Sequence, residues 1–213
     1  NFLLNGKMVY CCSDSTVSTV GSKSAEGKMS PRNMLTTTIG DELKIATDFK
    51  AKVIGVSLKD RAAILPAGHA ADGAYWIDYS TGTFISSTYY MKELPKWAVD
   101  YNKSIGKVTK DQICYTPLGN KITEEMAKAA VAGEQLGGDN VTDLLAVSFS
   151  CTDMIGHKYG THSDKTREIY VDLDKRLADL FGYLDQNVGK DQYLVFLMAD
   201  HGAANSILLS REH

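Results

Sequence analysis

The sequence has no long hydrophobic run and few cysteines. Its longest apolar stretch, Tyr193 to Ala199, has the length of a β-strand, far short of the roughly 20 residues that a helix needs to cross a bilayer. The four cysteines in 213 residues are too few for a disulfide scaffold and lack the CxxC spacing of metal or redox motifs. These absences argue against a membrane span and a cysteine-built module, and they leave the cellular compartment open.

An excess of charge of one sign is also lacking. The 23 Lys and Arg residues against 26 Asp and Glu residues leave a net charge of −3, so the basic surplus expected of a nucleic-acid-binding protein is missing. No internal repeat or low-complexity segment is visible. The remaining composition, 44% hydrophobic and 23% charged, is typical of a globular protein long enough to bury a sizeable core.

Both ends of the sequence suggest a piece of a longer protein. The chain begins with Asn1 rather than Met, shows no signal peptide, and stops at His213 soon after a predicted strand. We therefore expect a single incomplete α/β domain over residues 1–213. Within it, residues from about 62 to 120 are expected to form a smaller, less regular insertion or cap.

Helix and strand signals alternate along the chain, which predicts the α/β class. Ser30 and Pro31 precede a helical pattern of apolar residues that extends to Ala46, so Ser30 is predicted to cap a helix there. An alanine-rich composition predicts a further helix at Thr123–Leu136, and apolar residues at helical spacing predict another at Asp164–Val188.

Short, nearly continuous apolar runs predict buried strands, and a polar turn between apolar runs predicts a strand–turn–strand at Tyr75–Ile85. The buried strands are predicted at Lys52–Leu58, Leu144–Phe149 and Tyr193–Met198. The long helix lies between the last two strands, so we expect these to be parallel neighbours with a right-handed crossover. The sheet is expected to be mostly parallel and flanked by helices.

Residue types that bind metals follow two of these strands. Asp153 and His157 come after the strand near Phe149, and Asp200 and His201 come after the strand near Ala199. Ligands bind outside the carboxyl ends of strands in open parallel sheets, and zinc accepts both carboxylate oxygen and imidazole nitrogen. The spacing therefore predicts a metal site at one edge of the sheet.

A pair of cations follows the earlier strand. Lys59 and Arg61 lie two residues apart, so they point the same way if the strand persists. An Arg fork and a Lys point charge suit the oxygens of a phosphoryl group. Each set taken alone has an ordinary alternative, namely a capped turn, a satisfied loop pair or a solvated strand end. Their occurrence together after three strands favours a site.

The motifs Lys59-Asp-Arg61, Thr152-Asp-x-x-Gly-His157 and Asp200-His-Gly202 together resemble the alkaline phosphatase superfamily. More narrowly, the chain is similar to bacterial phosphate-irrepressible alkaline phosphatases, relatives of the type I phosphodiesterase/nucleotide pyrophosphatases. The resemblance implies a periplasmic or secreted hydrolase of small phosphate monoesters that uses two zinc ions and forms a covalent phosphoenzyme.

Carried over by motif, Asp153 and His157 resemble ligands of one zinc ion, and Asp200 and His201 resemble ligands of the other. Lys59 and Arg61 resemble the pair that contacts phosphoryl oxygens. The family's Thr or Ser nucleophile and its remaining metal ligands match no residue here, so the site is incomplete. We expect the chain alone to be inactive and its unpaired sheet edge to promote dimerisation.

Three other functions stay open at this stage. The first is a phosphodiesterase or nucleotide pyrophosphatase, although two cations match a dianionic monoester better than a diester. The second is a non-catalytic module that binds metal or phosphate. The third is a plain α/β interaction domain.

Overall fold

The computed structural model describes residues 1–204, and five strands in this range form one mixed sheet. The strands, in spatial order, are β3 (Thr19–Val20), β6 (Thr83–Ser87), β5 (Gly73–Asp78), β4 (Val53–Ser57) and β7 (Leu144–Ser148). Strand β4 is parallel to both β5 and β7, whereas β6 is antiparallel to β5 and β3. The predicted α/β fold with a helix-flanked sheet is confirmed, and within residues 1–204 two of the four pairings in the sheet are parallel and two antiparallel, because β5 and β6 join through a short turn instead of a crossover helix.

A separate antiparallel ribbon precedes the sheet, and helices connect the later strands. The ribbon consists of β1 (Phe2–Leu4) and β2 (Lys7–Val9). The α-helices in the described range are α1 (Ile39–Ala46), α2 (Asp60–Ala67), α3 (Lys96–Ile105), α4 (Lys110–Tyr115), α5 (Pro117–Glu134), α6 (Cys151–Tyr159) and α7 (Asp164–Leu184), the last continuing as a π-helix over Asp185–Gly189. Among the helices of residues 1–204, none combines the length and apolar character that a bilayer span requires.

Both faces of the sheet are covered. Successive side chains of a strand point to opposite faces, and β5 shows this clearly. Tyr75 and Ile77 belong to one buried cluster with Met126 of α5, while Trp76 belongs to a second cluster with Ile64 of α2. Burial on both sides explains why the strand sequences are nearly continuous in apolar character rather than alternating.

Most of the predicted elements are confirmed, with small shifts at their ends. The confirmed strands are β4, β7 and the β5–β6 pair, and the confirmed helices are α5 and α7. Helix α5 begins at Pro117, before the predicted Thr123, because the Thr116 hydroxyl accepts from the Leu118 backbone N–H and caps it there.

The predicted helix start at Ser30 is wrong. The Ser30 hydroxyl is buried and donates to Asp14 Oδ2 at 2.6 Å, and α1 begins only at Ile39. Thr38 and Asp41 form a reciprocal capping box at that point. This box satisfies two backbone N–H groups, those of Thr38 and Asp41, at the start of the helix.

The predicted strand Tyr193–Met198 is also wrong. These residues carry no strand pairing in the described part of the chain, and Leu194 and Met198 are about four-fifths exposed, at 78% and 84%. The predicted parallel neighbour and crossover for β7 are therefore missing there. An apolar run forms a strand only where it pairs with a neighbouring strand, and this segment pairs with none within residues 1–204.

Strands β5 and β6 lie within the subregion from about 62 to 120, and they belong to the same five-stranded sheet as β4 and β7. Helices α3 and α4 in that subregion pack against α5 or β6. The division of the chain into one domain with a cap stays a prediction.

Candidate functional site

The candidate site lies where β4 and β7 end. These strands are parallel neighbours with Ser57 opposite Ser148, so their carboxyl ends meet at one edge of the sheet. The Ser57 hydroxyl donates to the Ser148 carbonyl oxygen at 3.1 Å, and its oxygen lies 3.2 Å from that of the Ser150 hydroxyl. These bonds tie the strand ends together, so the residues after each strand emerge side by side.

Asp153, in the first turn of α6, is the centre of the site. Its Oδ2 accepts a hydrogen bond from Lys59 Nζ at 2.5 Å, and its Oδ1 lies 3.1 Å from His157 Nε2. His157 follows by four residues, so the two side chains share one face of the helix. Burial raises the pKa of the Asp153 carboxyl, but hydrogen bonding to Lys59 and the nearby positive charge outweigh it, and the net shift is downward.

His201 also approaches Asp153, although no strand precedes it. Its Nε2 lies 3.8 Å from Asp153 Oδ1 and 3.7 Å from Asp200 Oδ2. The Gly202 carbonyl oxygen, 2.8 Å from His201 Nδ1, raises the pKa of this imidazole, with a further contribution from Asp200. The Asp200 side chain is 91% exposed, so it lies at the rim of the site.

Arg61 does not share the contact that Lys59 makes. Strand β4 ends at Ser57, and Lys59 is already the N-cap of α2. The two-residue strand spacing therefore does not apply, and the two cations contact different groups. Lys59 reaches Asp153, whereas Arg61 Nη1 donates to the Tyr10 hydroxyl oxygen at 3.3 Å. The expectation that both point the same way depended on the strand persisting, and that condition is not met.

Sequence reasoning missed Tyr10 and gave no role to Asp60. The Tyr10 hydroxyl donates to Asp60 Oδ1 at 2.5 Å, across fifty positions of sequence. The hydroxyls of Ser57 and Ser150 were missed as well. Asp60 lies within the Lys59-Asp-Arg61 motif, but the other residues belong to no local motif, so only the packing of the chain reveals them.

The donor set has the chemistry of a zinc site but not its arrangement. Carboxylates and imidazoles are zinc ligands, and the two predicted imidazoles, His157 and His201, lie within 4 Å of Asp153. Within residues 1–204, however, no group of three or more His, Cys, Asp and Glu side chains is arranged to hold a metal ion. The Asp153 carboxylate instead contacts the Lys59 ammonium group.

The chain is similar to curated alkaline phosphatases over almost its whole length. Alkaline phosphatase PafA of Elizabethkingia meningoseptica is 43% identical over 258 residues, covering 98% of this chain and 47% of that protein. Alkaline phosphatase PhoV of Synechococcus elongatus is 43% identical, covering 94% of this chain and 45% of that protein. The chain thus spans about half the length of the curated relatives it matches.

The fold and the family model agree with these relatives. The crystal structure of wild-type PafA matches with a TM-score of 0.92 at 44% identity, covering 96% of this chain and 49% of that one. A family model described as type I phosphodiesterase/nucleotide pyrophosphatase matches residues 30–207. Sequence and fold therefore agree, and the chain belongs to the type I phosphodiesterase/nucleotide pyrophosphatase family of the alkaline phosphatase superfamily.

Proposed function

We propose that the whole protein hydrolyses small phosphate monoesters with two zinc ions and a covalent phosphoenzyme. One observation carries the proposal. Lys59 meets Asp153 at 2.5 Å, with His157 and His201 within 4 Å of the same carboxylate. A cation, a carboxylate and two imidazoles at one edge of the sheet suit a doubly charged phosphoryl group together with its metal ions. The names of the curated relatives support the same activity.

Asp153 and His157 would hold one zinc ion, and Asp200 and His201 would hold the other. Bound zinc supplies positive charge that stabilises oxyanions and lowers the pKa of an attached oxygen. Lys59 and Arg61 then act by charge and orientation on phosphoryl oxygens, without transferring a proton. Lys59 is paired with Asp153 in this structure, and its ammonium group is the one that would contact a phosphoryl oxygen beside that carboxylate.

Three further proposals complete this function. The 213-residue polypeptide alone is inactive, because the ammonium group of Lys59 occupies Asp153 and no group of three metal donors is assembled in the described range. The whole protein works in the periplasm or is secreted, as the resemblance to alkaline phosphatases suggests. The polypeptide forms dimers through β7, whose outer edge pairs with no strand of residues 1–204.

Steady-state kinetics on the whole protein test the activity, with 4-nitrophenyl phosphate as the monoester and its methyl ester as the diester. Because charge-assisted bonds contribute about 1.5–3 kcal/mol, Lys59→Ala and Arg61→Ala are each expected to lower monoester kcat/KM roughly 10- to 100-fold. Both should affect the diester less, since it carries one negative charge fewer. Lys121→Ala is a control, because Lys121 is a half-exposed residue on α5 that pairs with Glu125.

The same assay distinguishes the alternatives. Better turnover of the diester would favour a phosphodiesterase or nucleotide pyrophosphatase, the activity in the description of the family model. Phosphate binding by calorimetry without turnover would indicate a non-catalytic module. Activity of the purified 213-residue polypeptide would contradict the proposed inactivity, and metal analysis that finds no zinc in the whole protein would contradict the proposed cofactor.

A further inference from the structure

Tyr10 connects the two charged residues that open α2. Its hydroxyl donates to Asp60 Oδ1 at 2.5 Å, and its oxygen accepts from Arg61 Nη1 at 3.3 Å. Asp60 Oδ1 also accepts the Arg61 backbone N–H at 2.6 Å. The three residues therefore form a closed set of hydrogen bonds in which the guanidinium group of Arg61 is tied to a phenol oxygen.

The ring of Tyr10 is anchored on the core. It packs against the buried cluster that contains Cys12 and the α2 residues Ala63 and Ile64. The Tyr10 backbone carbonyl oxygen accepts a hydrogen bond from the Ser13 backbone N–H at 3.1 Å, which closes a turn that begins at Tyr10. The phenol oxygen is thus fixed relative to the helix that carries Arg61.

The direction of these bonds is set by protonation. Burial and the bond to Asp60 raise the pKa of the Tyr10 hydroxyl above its ordinary value, so the phenol keeps its proton at neutral pH. That single proton is donated to Asp60, which leaves the lone pairs of the oxygen free to accept from Arg61. The bond to Tyr10 in turn raises the pKa of the Arg61 guanidinium group.

We propose that Tyr10 is a positioning residue that holds the Arg61 guanidinium group for a phosphoryl oxygen and so favours monoesters over diesters. This inference rests on the proposed function of the site. Arg61 is solvent-exposed, and an exposed arginine that is not anchored loses rotamer freedom when it binds a ligand. Anchoring Arg61 before the substrate binds reduces this loss of rotamer freedom. The gain in binding is greater for the monoester, which carries more negative charge than the diester.

Tyr10→Phe in the whole protein tests the inference, because it removes the hydroxyl and keeps the ring. Since a neutral hydrogen bond contributes about 1 kcal/mol and one to a charged group more, monoester kcat/KM should fall roughly 5- to 20-fold. Diester kcat/KM should change less than about twofold, and competitive inhibition by inorganic phosphate should weaken in step with the monoester loss. Tyr89→Phe is the matched control, because the Tyr89 hydroxyl donates to the His69 carbonyl oxygen at 3.0 Å, away from Arg61.

A double-mutant cycle separates positioning from a general structural effect. In the Arg61→Ala background, Tyr10→Phe should cause no further loss of monoester kcat/KM. The inference would be overturned if Tyr10→Phe lowered kcat/KM equally for the monoester and the diester. It would also be overturned if Tyr10→Phe lowered monoester kcat/KM as much in the Arg61→Ala background as in the parent protein. If Arg61→Ala itself leaves monoester hydrolysis intact, the proposed role of Arg61 fails. If Arg61→Ala is harmful and Tyr10→Phe is silent, only the role of Tyr10 fails.

Discussion

Single side chains in this protein hold charges in place through neighbours that sequence spacing does not reveal. Asp14 is buried and accepts hydrogen bonds from the hydroxyls of Ser30 and Thr16, each at 2.6 Å, and from the Thr16 backbone N–H at 2.9 Å. Burial raises the pKa of this carboxyl, but the hydrogen bonds outweigh it and lower the pKa to about 2. The bonds join the segment before β3 to the segment before α1.

Asp14→Asn is expected to destabilise the fold at neutral pH. The pKa of Asp14 is lower in the folded chain than in the unfolded chain, so its stabilisation is fully present above about pH 4 and is lost as the pH falls towards 2. A shift of nearly two pKa units corresponds to roughly 2 kcal/mol. The free energy of unfolding in urea, followed by circular dichroism, should therefore fall by about that amount at pH 7.

At pH 2 most of the difference between the variant and the parent should be gone, since the Asp14 carboxyl is then protonated in the unfolded chain and about half protonated in the folded chain. Asp174→Asn is the control, because Asp174 is exposed on α7, and it should change stability by less than about 0.5 kcal/mol. If Asp14→Asn lowered the free energy of unfolding as much at pH 2 as at pH 7, the result would contradict this explanation.

At the scale of elements, close approach of backbones positions the site. Gly55 in the middle of β4 leaves no room for a side chain, because a Cβ atom there would lie 2.1 Å from the Ala63 carbonyl oxygen of α2. Helix α2 therefore rests directly on the strand that precedes it. This contact sets where Lys59, at the N-cap of α2, emerges towards Asp153.

Gly55→Ala is expected to destabilise the protein by about 3 kcal/mol, since overpacking against backbone cannot be relieved by a rotamer change. The measurement is the free energy of unfolding. Gly182→Ala on α7 is the matched control, because a Cβ there meets nothing within 4 Å. It should stabilise the protein by up to about 1 kcal/mol through helix propensity. Similar effects of the two substitutions would contradict the close-contact argument.

The elements also show how far sequence reasoning reaches. Strands β4 and β7 were predictable because their residues are apolar on both faces, and α7 was predictable because its apolar residues recur with the helical period. The segment Tyr193–Met198 has a strand-like composition, yet strand formation depends on a neighbour that composition does not supply. Likewise, Ser30 looks like a helix cap until its hydroxyl is seen to donate to Asp14.

On the scale of the whole molecule, the sheet ends at β7 within the described residues. Leu144 N–H donates to the Lys52 carbonyl oxygen at 2.8 Å. In a parallel pair, alternate residues bond to the same neighbour. Ala146 therefore bonds to β4 as Leu144 does, and the backbone groups of Leu145 and Val147 point outward. An outward row of unpaired groups is a template for pairing with another chain.

The 213-residue polypeptide is therefore expected to dimerise through β7, measured as molar mass by light scattering after size exclusion. Val147→Pro removes an outward N–H and should shift the polypeptide towards monomer while leaving the β4–β7 bonds intact. Ala146→Pro is the contrast, because it removes a bond to β4 and should lower stability instead. Monomeric behaviour of the unmodified polypeptide would rule out this edge as a dimer interface.

The sequence by itself determined the α/β class, the nearly continuous apolar strands, the long amphipathic helix and the candidate residues that follow β4 and β7, because each of these follows from local periodicity or a short motif. Only the tertiary structure decided that Lys59 meets Asp153 while Arg61 meets Tyr10, that the Ser30 hydroxyl donates to Asp14 instead of capping a helix, and that Tyr193–Met198 is not a strand within residues 1–204. Those outcomes depend on partners many positions away, whose proximity is created by packing.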